Sequence, residues 1–250
     1  MPIRFLLLCC LLCGFHLAPP AAAGNWPQWR GPSGDGVSEE TGLPVVWSEN
    51  LGVVWRCPLP QWGNSTPAIW DDAVFVTSHV DNRELILMRI DKATGKPVWK
   101  QTVATAETPN FDGWGKKGDR RRRQEFHRDQ NMASPSPVTD GELVIVHYGS
   151  GDLAAYDFDG RQLWKRNLQD DYGPYSIWWG HANSPILVGD LVISICMQDS
   201  CADLPGEPSV SYVAAHHKRT GEQVWFTQRM TSAIAEPCDS YTTPLLWNRN

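Results

Sequence analysis

The side chains best suited to chemistry gather just ahead of three of four Ser/Thr-Pro steps. "YSIWWGHANSP", Tyr175 to Pro185, carries Trp179, His181 and Asn183. His127 and Asn131 stand a little further upstream of Pro137, and Glu236 and Asp239 precede Pro244. An aromatic floor edged by imidazole, amide and carboxylate groups suits a flat or sugar-like ligand. The same groups also suit hydrogen-bonded bridges between neighbouring elements. No catalytic residue is expected: no G-x-S-x-G stretch supports a Ser-His-Asp set. "SGDG", Ser33 to Gly36, is turn-rich but lacks the spacing of a phosphate loop. No metal site is expected either, since no C-x-x-C or His cluster has zinc spacing.

A basic run, Arg120 to Arg123, lies in "GWGKKGDRRRRQEFHRDQN", Gly113 to Asn131. Arginines at this density can hold an anion or a phosphate backbone. They also occur on solvated loop insertions, and an insertion of this length is often a contact surface. The net charge of -6 weighs against a nucleic-acid partner.

The elements that position these groups are repeats. "DKATGKPVW" at Asp91 to Trp99 returns as "DFDGRQLW" at Asp157 to Trp164 and "HKRTGEQVW" at His217 to Trp225. A second marker, Ser or Thr and then Pro, returns at Pro67, Pro137, Pro185 and Pro244, and these copies align without a gap. Recurrence at such periods predicts repeat architecture. Each Pro opens a strand where a missing ladder donor is tolerated. A Gly or Asp turn follows, then a continuous apolar strand such as "VFV" or "VIV", as expected for burial on both faces. "LILMRID", "LAAYD" and "YVAAHH" read as third strands. Gly95, Gly160 and Gly221 then turn the chain into a fourth strand. Trp99, Trp164 and Trp225 on those fourth strands are expected to wedge between neighbouring sheets, because large rings bury much area.

Four-stranded antiparallel units in tandem predict an all-β chain folded as a β-propeller. Thirteen Trp, 21 Gly and 19 Pro suit many short strands better than long helices. "LGVVWRC", with Trp55, reads as an outer strand without its first three, and "TTPLLWNRN" as an inner strand with nothing after it. The expectation is three whole blades and two part-blades, incomplete at the C-terminus.

The N-terminus reads as an export signal over residues 1–23: a basic start, an apolar run from Phe5 to Leu12, and Ala21 to Ala23 for cleavage. The apolar run falls short of the roughly 20 residues needed to span a bilayer. No transmembrane segment is therefore expected in the mature chain. Cys13 in "LLCG" is a lipidation candidate, although Leu12 before it is bulky for that pattern. Residues 24–50 form a lead-in and 51–250 the propeller. Export leaves Cys57, Cys196, Cys201 and Cys238 where disulfides form. They admit three full pairings, and Cys196 and Cys201 are nearest in sequence.

The D-x-x-T-G-x-x-x-W pattern at Asp91 to Trp99 resembles the signature of the pyrroloquinoline quinone (PQQ) repeat family. "NWPQWRGPSGDGVS", Asn25 to Ser38, is similar to the opening of exported bacterial PQQ-like propellers. The resemblance implies a propeller, and leaves function open among calcium- and PQQ-dependent dehydrogenases, cofactor-free scaffolds of outer-membrane assembly, and sensor domains. Many of the dehydrogenases carry adjacent cysteines over the cofactor. Here the adjacent pair, Cys9-Cys10, lies in the signal. No calcium-ligand set or catalytic Asp can be matched. The reading is an exported, non-catalytic propeller of the periplasm or envelope, possessing no cofactor and binding an envelope protein or small ligand. A dehydrogenase using PQQ and calcium on alcohols or sugars is the alternative, and a sensor domain of a larger chain is a third.

Overall fold

The computed structural model describes residues 24–105, 127, 129–177, 179–198, 211–229 and 236–247. The export signal, Arg120 to Arg123 and Cys201 lie outside the described residues. Among them are three four-stranded antiparallel sheets. Blade 1 holds β1 (Ala68–Trp70), β2 (Ala73–Val80), β3 (Glu84–Asp91) and β4 (Pro97–Thr105). Blade 2 holds β5 (Val138–Thr139), β6 (Leu143–His147), β7 (Asp152–Asp157) and β8 (Gln162–Asn167). Blade 3 holds β9 (Ile186–Val188), β10 (Leu191–Cys196), β11 (Tyr212–His217) and β12 (Gln223–Gln228). Strand order follows chain order in each blade. The inner strands are neighbours, β1 beside β5 and β5 beside β9.

Local chemistry explains the blade. Pro67, Pro137 and Pro185 stand directly before the three inner strands or one residue earlier, where no ladder donor is lost. β6 is buried along its whole length and β2 along all but its last residue. Both therefore serve two cores at once. One apolar cluster, with Phe75, Leu85, Leu87, Val144 and Val146, fills the joint between blades 1 and 2. A second, with Leu143, Ile145, Leu153, Trp164 and Val192, fills the joint between blades 2 and 3.

The outer turn explains the repeated signature. Asp91 accepts from the Thr94 N–H (2.7 Å) and the Thr94 hydroxyl (2.6 Å), which closes the turn. These bonds hold its carboxyl below the usual range. Asp157 does the same work toward the Arg161 N–H at 2.8 Å, and His217 toward the Arg219 N–H at 3.2 Å. The Gly is required twice over. Gly221 has φ +72°, and a Cβ there would sit 2.7 Å from the Trp164 ring.

Each outer-strand Trp lies on the turn of the following blade. Trp99 covers Gly160 and donates its indole N–H to Phe158 O at 2.8 Å. Trp164 covers Gly221 and donates to Lys218 O at 2.7 Å. Trp55 bears the same relation to Gly95 and Lys92 O, at 2.8 Å. Trp225 reaches no such turn among the described residues and is 37% exposed.

The two part-blades differ from the expectation in one respect. Leu51–Cys57 and Thr242–Trp247 form no strand, beyond a single bridge between Ser48 and Leu51. A strand is a property of a ladder, and neither stretch has a described neighbour of its own blade to pair with. The Trp55 anchor and the packing of Cys57 on the blade 1 core hold the first in place.

Candidate functional site

The functional geometry lies where the blades converge. The hydroxyl residue before each Pro is not merely a strand start. Ser136 Oγ accepts from the Thr66 N–H, and Ser184 Oγ accepts from the Ser136 N–H, both at 2.9 Å. These bonds tie blade 1 to blade 2 and blade 2 to blade 3. The lead-in adds a second ring. Trp26 exchanges two backbone bonds with Ile69 of β1, at 2.9 and 2.8 Å, and Pro27 O accepts from the Thr139 N–H of β5 at 2.9 Å. Asn25 Oδ1 accepts from the Asp71 N–H at 2.8 Å. Residues 25–27 thus run along the inner edges of two successive blades.

A cavity of about 680 Å³ opens beside this lead-in. Trp29 and Arg30 form one wall, Ser134, Ser136 and Ser184 the floor, and β9 with Thr242–Leu246 the other wall. Among the described residues its lining holds one cation, Arg30, and no carboxylate, imidazole or thiol.

A different cluster fills the joint between blades 2 and 3. His147 shares a 3.1 Å hydrogen bond with the Tyr175 hydroxyl, and its ring lies 4.5 Å from that of His181. His181 stacks on Tyr175 at 4.7 Å and shares a 2.9 Å bond with Ile195 O. Tyr212 and Cys196 pack behind Tyr175, and Tyr172 joins His216 at 3.0 Å. Burial pushes His181 and His216 down to about 4, and holds His147 further below its ordinary value with help from its His neighbours. Burial also raises Tyr175, Tyr212 and the Cys196 thiol well above theirs. Near neutral pH every one of these groups is uncharged. The cluster is a hydrogen-bonded joint, sealed from solvent.

The predicted site residues divide between these places. His181 and Asn183 are buried in the joint, with Asn183 Nδ2 donating to Ser240 O (3.0 Å) and Thr242 O (2.7 Å). Asn131 is buried too and donates to Trp62 O at 3.0 Å. Trp179 is half exposed and meets the His127 ring at 4.3 Å. Glu236 opens a short 3-10 turn, Glu236–Cys238. His127, Asn131, Trp179, His181 and Asn183 do not line the cavity; in blade 3 their neighbours Ala182 and Ser184 do. Backbone alternation is the reason: adjacent residues ahead of the Pro face opposite ways. Cys196 is buried in the joint, and its sequence-nearest partner Cys201 lies outside the described residues.

Sequence reasoning missed His147, Tyr175 and the Ser/Thr hydroxyl chain. His147 carried a usable signal. Counting from the Pro, it occupies the place of Thr77 in blade 1 and Ile195 in blade 3, a ring nitrogen inside an apolar strand.

PQQ and calcium can be tested against these residues. Calcium takes six to eight oxygen ligands, carboxylates foremost. Among the described residues the cavity lining supplies no carboxylate, and no three His, Cys, Asp or Glu side chains gather to hold a metal. One arginine faces the three carboxylates of the quinone. The described residues do not fit the pair.

No curated protein matches this chain. Among solved structures, the quinohemoprotein alcohol dehydrogenase of Comamonas testosteroni is similar at 17% identity with a TM-score of 0.58, over 84% of this chain and 28% of that one. The quinohemoprotein alcohol dehydrogenase ADHIIG of Pseudomonas putida HK5 follows at 15% identity and a TM-score of 0.46, over 71% and 22%. BamB of Moraxella catarrhalis aligns at 17% identity and 0.40, over 72% and 44%. The chain therefore spans less than half the length of each, and at these identities the likeness to the first is one of fold. A family model described as outer membrane protein assembly factor BamB matches residues 37–238. Blades built on Asp/Thr-Gly turns, each capped by the previous blade's Trp, and a match over most of its length make this chain a member of that PQQ-like β-propeller family.

Proposed function

We propose that this chain is an exported, non-catalytic scaffold of the bacterial cell envelope that receives a protein partner. One observation carries the reading: an exposed apolar run in the lead-in and first part-blade. Val45 is 95% exposed, Trp47 74% and Val54 89%, with Leu43, Val46 and Leu51 also open to solvent. The Ser48–Leu51 bridge folds this run into a narrow hairpin. A contiguous apolar surface rimmed by polar residues marks an interaction site more often than it marks solvent. The family description, an assembly factor of outer-membrane proteins, supports a protein as the partner. The uncharged, sealed state of the His-Tyr joint supports a role without catalysis. Among the described residues no helix is long and apolar enough to cross a membrane.

The test uses protein of natural length from its own envelope. A photo-crosslinker at position 46 should join one discrete envelope protein, and Val46→Asp should abolish the adduct made from position 47. The same preparation should show no quinone absorbance and no stoichiometric calcium. Bound quinone with calcium would replace this reading with the dehydrogenase. A crosslink pattern no richer than that of an exposed polar site such as Glu39 would remove the partner face.

A further inference from the structure

The axial cavity presents one cation and several donors that no described group takes up, and these bear on what it takes. In an antiparallel pair, alternate residues turn their N–H and C=O away from the partner strand. Ile69 of β1 pairs with Val74 in that outward sense, and its amide goes to Trp26 O at 2.8 Å. Thr139 stands at the same step of β5, and its amide goes to Pro27 O at 2.9 Å. Leu187 is the third of the series: it pairs with Val192 as Ile69 pairs with Val74. The lead-in has turned away by then, at Arg30 and Gly31, and Leu187 lines the cavity instead. No described residue accepts its amide.

Three further donors line the same cavity. Ser136 and Ser184 are nearly fully buried, and each oxygen already accepts a backbone N–H from the neighbouring blade. Each hydroxyl therefore has its own hydrogen left to give, and no described group takes it. Arg30 makes no ion pair among the described residues and sits at φ +63°, a left-handed conformation that costs a side-chain-bearing residue energy and recurs at binding sites. In a chain of net charge -6 the described residues of the lining include no carboxylate. The lining also holds Ile186, Val188, Leu245, Leu246 and Trp29 as an apolar part, beside the polar Asn64 and Thr242.

We infer that this cavity binds a carboxylate carried on an apolar body. The carboxylate oxygens accept from Leu187 N–H, the Ser136 and Ser184 hydroxyls and the Arg30 guanidinium, and the apolar part lies along β9. The inference is independent of the partner face proposed above, which lies on the 43–54 hairpin. Two sources share this chemistry, the free end of an apolar peptide and a fatty acid. The experiment is calorimetric titration of the full chain with N-acetyl-phenylalanine, with its amide, and with decanoate. At least one carboxylate should bind, and the amide should bind about tenfold more weakly or not at all, since bonds to a charged acceptor are the strong ones. Arg30→Gln, on an exposed residue, should weaken the carboxylate by a similar factor while leaving the melting temperature in place. Preference for N-acetyl-phenylalanine assigns a peptide end, and preference for decanoate a fatty acid; either supports the inference. No binding by either acid, equal binding of acid and amide, or an Arg30→Gln protein that binds as well as the parent overturns it.

Discussion

The two joints between blades solve one packing problem with different chemistry. Between blades 1 and 2 the filling is apolar: Phe75, Leu87 and Val146, with Trp99 and Phe158 packed on the rim. Thr77 reaches across with its hydroxyl 2.8 Å from Ser65 Oγ and 3.3 Å from Ala133 O, and Arg89 donates to Phe158 O at 3.0 Å. Between blades 2 and 3 the same step of the strand is His147, and with it come His181, Tyr175 and Tyr212. A second clamp is also charged there, with Lys218 held by Asp140 at 2.9 Å and Asp190 at 3.3 Å. The lesson is that a repeat fold can hold one joint by shape and the next by a buried polar network. Among the described residues the first holds one imidazole whose pKa burial lowers, His79, and the second holds three, His147, His181 and His216.

The largest effect should come from the wedge common to both. Trp164 is 8% exposed, and Trp164→Ala should cost about 3 to 5 kcal/mol by chemical denaturation. Trp225→Ala, on the ring that covers no turn, should cost less than about 1 kcal/mol. Equal losses would mean that the blade-to-blade contact is not what the rings contribute.

Acid should separate the joints. The folded protein holds His181 near 4, against about 6.5 in an unfolded chain. A lowered histidine pKa means that the unfolded state binds the proton first. Stability is therefore complete above about pH 6.5 and falls as pH drops toward 4, by about 3 kcal/mol for His181 alone. Hydrogen exchange should show β10 and β11 opening at pH 5 before β2 and β3. Simultaneous opening would erase the distinction drawn between the joints.

Two smaller tests sharpen it. Gly221→Ala meets both a left-handed φ and the Trp164 ring, whereas Gly189→Ala, at φ +58°, meets only the first. The former should cost about 2 kcal/mol or more and the latter about 1 kcal/mol. Ser184→Ala leaves the buried Ser136 amide without its acceptor and should cost about 1 kcal/mol, read as a shift in the urea midpoint.

Much of the blade was legible in the sequence because its signals are local. A Gly where the chain must turn left-handed, a Pro at a strand start and an apolar run between two sheets declare themselves within a few residues. The Trp-Gly contact was half legible: the ring announced a wedge, but the glycine it covers lies in the next blade. The candidate site was not legible. His181 and Asn183 drew notice as polar groups beside an aromatic pair, yet strand alternation sends them into the joint and their plainer neighbours into the cavity.

What the sequence determined by itself, then, was the repeat: where each strand begins, where it turns, and which ring seals it. Tertiary structure alone decided the axis. Thr66 and Ser136 are 70 residues apart and Ser136 and Ser184 are 48, and Trp26 meets Ile69 across the rest of the lead-in and the first part-blade. No pattern of neighbours along the chain records such pairs. Hydrogen bonds are short-ranged and directional, so which donors stay unpaired around the axis is settled only when the blades stand side by side.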